Sequence, residues 1–156
     1  MFDQNNLSQL NFKLKLPSLN ELEMRAQSVS IPGLSLGQAD VPTPFVRIYE
    51  PGNLDYNSLD VSFMVGENLK DYLEIYNWMV QLGYPDGLGQ YKNKTIDGSV
   101  LILNSSYTPI VNVRFTDLFP ISLSNLDFNS TLTEIQYVTA TVSFRFTRFY
   151  FDVLSS

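Results

Sequence analysis

Apolar and polar side chains alternate one for one along most of this chain, the period that turns one face of a strand to a core and the other to water. Phe12, Leu14 and Leu16 alternate with Lys13 and Lys15. Leu22, Met24 and Ala26 alternate with Glu23 and Arg25, and Val29 and Ile31 carry the run to Pro32 and Gly33. These two segments are predicted to form a first antiparallel pair. Leu59, Val61, Phe63 and Val65 mark a further strand ending at Gly66, and shorter strands are predicted at 100–103, 111–115 and 121–123. The longest predicted strand comes last, with Val138, Ala140, Val142, Phe144 and Phe146 on one face and Thr139, Thr141, Ser143, Arg145 and Thr147 on the other.

One segment changes period. Leu69, Tyr72, Leu73, Tyr76, Met79 and Val80 recur at three- and four-residue steps, which predicts a helix over 68–82 with these residues along one face. Asn68 can cap its first turn, Asp71 follows three residues on, and Gly83 is placed to end it. The aromatic stripe, with Trp78 beside it, is expected to pack on the sheet rather than form a ligand wall.

Residues 33–57 follow neither period. Pro32, Gly33, Gly37, Pro42, Pro44, Pro51 and Gly52 interrupt them, leaving one short strand-like piece at 45–49. A loop this long inside a small domain usually has a function. It also carries Leu34, Leu36, Val41, Phe45, Val46, Ile48, Tyr49 and Tyr56, too many apolar groups for a solvated linker. The expectation is a long loop that docks on a neighbouring molecule, the alternative being one folded over its own core. A second loop is expected at 83–97, whose glycines fit no phosphate-cradling motif. Together these elements predict a single mainly β domain over 1–156, an antiparallel sandwich or barrel with one α-helix.

Composition narrows the chemistry. The chain of 156 residues has no histidine and no cysteine, which removes the usual general base near neutral pH, the thiolate nucleophile, disulfides and the common zinc ligands. No calcium loop is present, and no carboxylate pair sits in the apolar setting that general acid catalysis needs; Asp71 and Glu74 are expected on the exposed side of the helix. No catalytic, metal or cofactor residue is therefore predicted. Charged residues make up only 17 % and aromatic ones 13 %, which suggests that much of the surface is covered by partners. The net charge of −6 comes from residues 48–90, where seven acids face Lys70 alone. Sequence-independent binding of nucleic acid is not expected from such a chain. Residues 1–10 hold neither a basic leader nor a signal-length apolar run, and no apolar stretch is long enough to span a bilayer, so the expected place of synthesis and assembly is the cytoplasm. The acceptor-type triplets at Asn93, Asn104 and Asn129 are read as chance matches.

The order of elements resembles that of the tail tube proteins of contractile-tailed bacteriophages, a domain shared with baseplate tube initiators and with the tube subunits of type VI secretion and related injection systems. The residues that carry the resemblance are segment 29–33, the long loop after it, and the strand at 60–65 running through Glu67, Asn68, Leu69 and Lys70 into the helix. At the other end, Phe119 and Pro120 lead to Leu123, Leu126 and Phe128, then Glu134, Ile135, Gln136 and Tyr137, and finally Phe149, Tyr150 and Phe151. Arg145, Arg148 and the wealth of Tyr and Phe depart from the family pattern.

The resemblance implies a non-enzymatic virion protein of the tail, without cofactor or membrane, whose hexameric rings stack into a tube that passes DNA and supports a contractile sheath. Its implied partners are further copies of itself, the sheath protein, and the baseplate tube-initiator and tail terminator proteins. Leu34, Leu36, Val41, Phe45, Tyr49 and Tyr56 would then stack one ring on the next. Asn112, Arg114, Thr116, Thr139, Thr141 and Ser143 would line the lumen, and the helix with its acidic surroundings would face the sheath. Two alternatives remain: a tube-like baseplate or adaptor ring that initiates the tube and, in a different class, a carbohydrate-binding β-sandwich using the loop aromatics Tyr84, Tyr91 and Tyr107.

Overall fold

The computed structural model describes residues 11–84, 95–131 and 133–154. Among these residues nine strands and two helices follow in the order β1 (Phe12–Lys15), α1 (Asn20–Arg25), β2 (Ala26–Ser30), β3 (Leu34–Val41), β4 (Ile48–Tyr56), β5 (Leu59–Met64), α2 (Lys70–Gly83), β6 (Ile96–Leu103), β7 (Pro109–Leu123), β8 (Thr139–Arg145) and β9 (Arg148–Val153). The expected antiparallel, mainly β architecture is what the chain adopts.

Strand β7 builds the body. Its first half pairs with β6 on one side and β9 on the other, and its second half, from Phe119 onward, pairs with β8. Between the halves Asp117 takes a left-handed conformation (φ 56°), so one strand serves two sheets. Sheet 1 runs β1-β6-β7-β9 and sheet 2 runs β7-β8-β5-β2. The pieces predicted separately at 111–115 and 121–123 are thus one strand, the longest of those described.

The core lies between the two sheets. Leu14, Val100, Val113 and Phe115 come from sheet 1 and Leu59, Val61, Phe63, Val142 and Phe144 from sheet 2, and all are buried in one cluster with Leu16, Leu22, Ile75 and Leu118. Burying side chains of this size contributes about 1.5–3 kcal/mol each.

In residues 12–57 three expectations are corrected. The alternation at 22–26 does not make a strand: residues 20–25 form α1, because Leu19 and Leu22, one turn apart, are the buried pair while Met24 points to solvent. Glu21 and Glu23 in its first turn and Arg25 in its last complement the helix dipole. The predicted first pair does not exist either, since β1 joins β6 and β2 joins β5.

The third correction concerns residues 33–57. They are a hairpin, β3 paired with β4, forming a two-stranded sheet of its own. Glycine makes the pairing possible at an irregularity between Leu36 and Gln38: a Cβ on Gly52 would come within 3.0 Å of the Gly37 carbonyl carbon. Pro42 and Pro44 fall in the connecting turn, and Pro51 sits in β4 at that irregularity, opposite Gln38. The loop prediction failed because these breakers lie where a bulged ribbon tolerates them.

Helix α2 forms where the period placed it, but in a different rotation. Its buried positions are Asp71 and Ile75, with Tyr72, Trp78 and Met79 partly covered, while Leu73, Tyr76 and Val80 are exposed. Trp78 packs 6.2 Å from the Phe144 ring. Asp71 is only 2 % exposed rather than solvated. Its carboxylate accepts hydrogen bonds from the Gly66 N–H at 3.2 Å and the Tyr72 N–H at 2.8 Å, holding the turn in which Leu69 is left-handed (φ 59°). Asn68 accepts from the Lys70 N–H at 3.2 Å. The second loop falls mainly on residues 85–94, which lie outside the described residues, as does Tyr91. Among the described residues, no helix is long and apolar enough to cross a membrane, and no cluster of acidic residues could hold a metal ion.

Candidate functional site

The hairpin is the most exposed element. In antiparallel pairing, opposed residues share a face, so the register Leu34 with Tyr56 and Leu36 with Leu54 puts these four side chains together. Ser35 with Asp55 and Ala39 with Glu50 occupy the other, polar face. Leu36 is nevertheless 55 % exposed, Leu34 and Leu54 are similarly open, and Phe45 at the tip is 95 % exposed. Isolated two-stranded ribbons are marginal in water, and the described residues leave Leu34, Leu36 and Leu54 of this one open.

Its root is well held. The Asn57 N–H donates to the Gly33 carbonyl at 3.0 Å, and Arg145 Nη1 donates to the Tyr56 carbonyl at 2.8 Å. The Tyr56 ring lies 5.6 Å from Phe146 and 5.3 Å from Phe149, and Phe149 lies 5.7 Å from Phe151. The apolar surface therefore continues from the ribbon onto β9, where Phe151 and Val153 are exposed.

Of the six residues expected to contact a neighbour, Leu34, Leu36, Phe45 and Tyr49 are exposed, Tyr56 forms the root, and Val41 pairs with Ile48. Leu54 was missed. Only its register opposite Leu36 reveals it, and that register is invisible until the segment is known to be a hairpin.

The six residues expected to line a lumen divide into two groups. Asn112, Arg114 and Thr116 lie on the outward face of sheet 1, and Thr139, Thr141 and Ser143 on that of sheet 2. The outward faces of a sandwich point away from each other, so one channel can use at most one triplet.

The two faces differ in chemistry. Sheet 1 shows Lys13, Lys15, Arg114 and Arg148, with Arg114 paired to Asp152 at 3.1 Å and Arg148 over the Tyr150 ring. Thr116 donates to the Arg148 carbonyl at 3.1 Å, and the Asn112 side-chain oxygen is buried without a hydrogen-bond partner. Sheet 2 shows rows of small hydroxyls: Ser28 beside Ser62 beside Thr141, and Ser30, Asp60, Ser143 and Ser122 in the next. Ser62 and Thr141 hydroxyls are 3.1 Å apart, and Asp60 accepts from Ser143 at 2.7 Å and from Ser58 at 3.0 Å.

Among the described residues sheet 2 has two unpaired borders: there β2 pairs only with β5, and the second half of β7 only with β8. Phe119 and Ile121 are exposed on that half of β7. Beside it the helix leaves a groove of about 350 Å³ lined by Tyr72, Tyr76, Met79, Val80, Gly83, Tyr84 and Leu123. The Tyr72 hydroxyl donates to the Ser124 carbonyl at 3.1 Å and ties α2 to this border. Exposed sheet borders and apolar surfaces of this kind call for a partner.

The tail tube terminator protein of Enterobacteria phage T4 is 31 % identical to this chain over 161 residues, covering 96 % of the chain and 89 % of the phage protein. The chain belongs to the tail tube terminator family. No family model matches it. The anti-feeding prophage cap, described as a tube terminating cap, superposes with a TM-score of 0.73 at 16 % identity, covering 99 % of this chain and 95 % of that one. A chain of the sheath/tube terminator of the extracellular contractile injection system PVC gives 0.72 at 13 % identity, with 96 % and 99 % covered. A chain of the same system's sheath-tube complex also gives 0.72, at 12 % identity and coverages of 97 % and 94 %. Terminator and tube proteins thus share the fold of this terminator-family chain. Fold likeness alone does not separate capping from repeating subunits.

Around α2 one group is left strained. The Glu74 carboxylate has an oxygen that is buried without a hydrogen-bond partner. Burial pushes its pKa up, and the nearby Glu21 and then Asp71 carboxylates raise it further. In this terminator-family chain the group sits where α1 meets α2 and contributes no evident chemistry.

Proposed function

We propose that this chain is the subunit of a homo-oligomeric ring that caps the tube of a contractile phage tail, a structural and non-enzymatic function exercised in the virion. The observation that carries this reading is the 31 % identity to a phage tube terminator along 96 % of the chain. The free borders of sheet 2 support it, since a ring of copies would complete them and leave no exposed edge. The last ring of the tube, the sheath and DNA in transit are the partners that follow.

Sheet 2 supplies the channel wall in this reading. Ser28, Ser62, Thr139, Thr141 and Ser143 offer small hydroxyls, and the carboxylate of Asp60 repels phosphate. The cations of sheet 1 would instead hold DNA by displacing its counterions, so that face belongs on the outer layer. In this proposal Thr139, Thr141 and Ser143 of the predicted lumen residues line the channel, and Asn112, Arg114 and Thr116 lie on the outer layer.

Negative-stain electron microscopy of the purified chain, alone and added to tail tubes, tests capping against repetition. Capping predicts single six-fold rings, and tubes that stop growing once these rings are added. A repeating tube subunit would instead polymerise into long tubes, and strictly monomeric particles at high concentration would refute both.

A further inference from the structure

Sheet 1 turns a cationic face away from the core. Lys13 and Lys15 flank the buried Leu14 on β1, Arg114 stands between the buried Val113 and Phe115 on β7, and Arg148 precedes the buried Phe149 on β9. Side chains alternate along a strand, so all four cations point outward. The register sets Lys15, Ser99, Arg114 and Tyr150 in one cross-strand row. Four of the chain's ten cations thus share one face of a molecule whose net charge is −6. Among the described residues a single ion pair forms, Arg114 with Asp152 at 3.1 Å. Beside Arg114 lies a hollow of about 220 Å³, whose lining includes Asp97, Ser99, Asn112 and Tyr150.

We propose that the outward face of sheet 1 docks an acidic segment of the sheath protein, with one carboxylate of that segment seated at Arg114. The inference rests on the ring reading, which puts this face on the outer layer, and adds the surface and the chemistry of the contact. Charge complementarity selects the occupant: cations gathered on one face of an otherwise acidic molecule draw an acidic partner to that face and fix its register. Arg114 uses Nη2 on Asp152 while its side chain stays 50 % exposed, which leaves further N–H groups of its fork for an incoming carboxylate. The Ser99 and Tyr150 hydroxyls at the same hollow are placed to donate to that carboxylate as well. Lys15 lies two strands away in the same row, about 10 Å across the sheet, so a second carboxylate at that spacing meets a second cation. Duplex DNA suits the face less, because Asp97 and Asp152 interrupt the cations and DNA in the ring reading passes along sheet 2.

The probes are a labelled peptide of alternating Glu and Ser, its Gln and Ser counterpart, and a labelled DNA duplex, each titrated with the full chain and read by fluorescence anisotropy. The Glu peptide should bind at least ten-fold tighter than the Gln peptide at low salt, and the advantage should fade as salt screens the charges. Lys13→Gln combined with Lys15→Gln, both exposed, should weaken the Glu peptide about five-fold. Arg47→Gln and Lys70→Gln, in the hairpin turn and at the start of α2, should leave it unchanged. In co-sedimentation with assembled sheath, the unaltered rings should pellet, and rings carrying Lys13→Glu and Lys15→Glu should stay in solution although microscopy still shows them as rings. Equal binding of the two peptides, tighter binding of the duplex, the same loss from Lys70→Gln, or sheath binding that survives the charge reversal would overturn the proposal while leaving the ring intact. An unaltered chain that remains monomeric would overturn the ring reading and the proposal together.

Discussion

The sandwich and the hairpin use the same device, apolar side chains on alternate positions of paired strands, with opposite outcomes. In β5 every second side chain is fully buried within the chain: Leu59, Val61 and Phe63. In β3 and β4 the corresponding residues, Leu34, Leu36 and Leu54, stand open although their register aligns them equally well. The sandwich is therefore stabilised by its own sequence, whereas the hairpin carries a face that the described residues leave open. Stability and assembly are written in one pattern but in separate places.

Truncation in the two regions should show the largest contrast. Phe144→Ala removes a fully buried ring that Trp78 also touches and should cost about 3–5 kcal/mol in urea-induced unfolding. Leu36→Ala should leave that unfolding within about 0.5 kcal/mol, because the side chain is half in water already. The same variant should abolish rings under the microscope. Equal destabilisation by both would mean that the hairpin belongs to the folding core.

Glycine substitutions sharpen the comparison at smaller amplitude. A Cβ at Gly98 would stand 2.6 Å from Leu118 Cδ1 and 2.7 Å from Leu16 Cδ2, so Gly98→Ala should overpack the sandwich and cost about 1–3 kcal/mol. Gly52→Ala meets backbone instead, within 3.0 Å of the Gly37 carbonyl carbon. It should force β3 and β4 apart and impair assembly, with the unfolding midpoint of the sandwich unchanged.

The smallest effect is expected at Glu74. Its carboxyl pKa is raised in the folded chain, so the folded state holds this proton more tightly than the unfolded one. Stability from this group is greatest below the ordinary carboxylate value and falls as pH rises through the raised one. Glu74→Gln should therefore increase the melting temperature by about 1–2 °C at neutral pH, and the gain should vanish near pH 4. A constant gain at all pH values would locate the effect in packing rather than charge.

Much of this was legible beforehand. The strand around Val61 and Phe63, the helix after it and the strand through Phe144 were all evident, because burial on one face imprints a period on the sequence; that strand is neither the last nor the longest, since it ends at Arg145 and β9 follows. So was the kinship with tube proteins. The short helix at 20–25 was not, since Leu22, Met24 and Ala26 fit two periods and only the exposure of Met24 decides between them. The rotation of α2 escaped for a related reason: Leu73, Tyr76 and Val80 of its periodic stripe are exposed, and the core takes Ile75 beside a buried acid. Alternation marks apolar faces without saying whose core they enter. The lumen triplets were merged because Asn112 and Thr141 look alike in sequence, and only the two-sheet course of β7 separates them.

Amide hydrogen exchange on the chain before and after ring assembly tests the central claim, that this fold leaves sheet borders and a ribbon face to be completed by identical copies. The account predicts that amides in β5 and β8 are protected in both states. Those of β2, of Phe119–Leu123 in β7 and of the hairpin should gain protection only on assembly. Full protection of these borders in the isolated chain would contradict it.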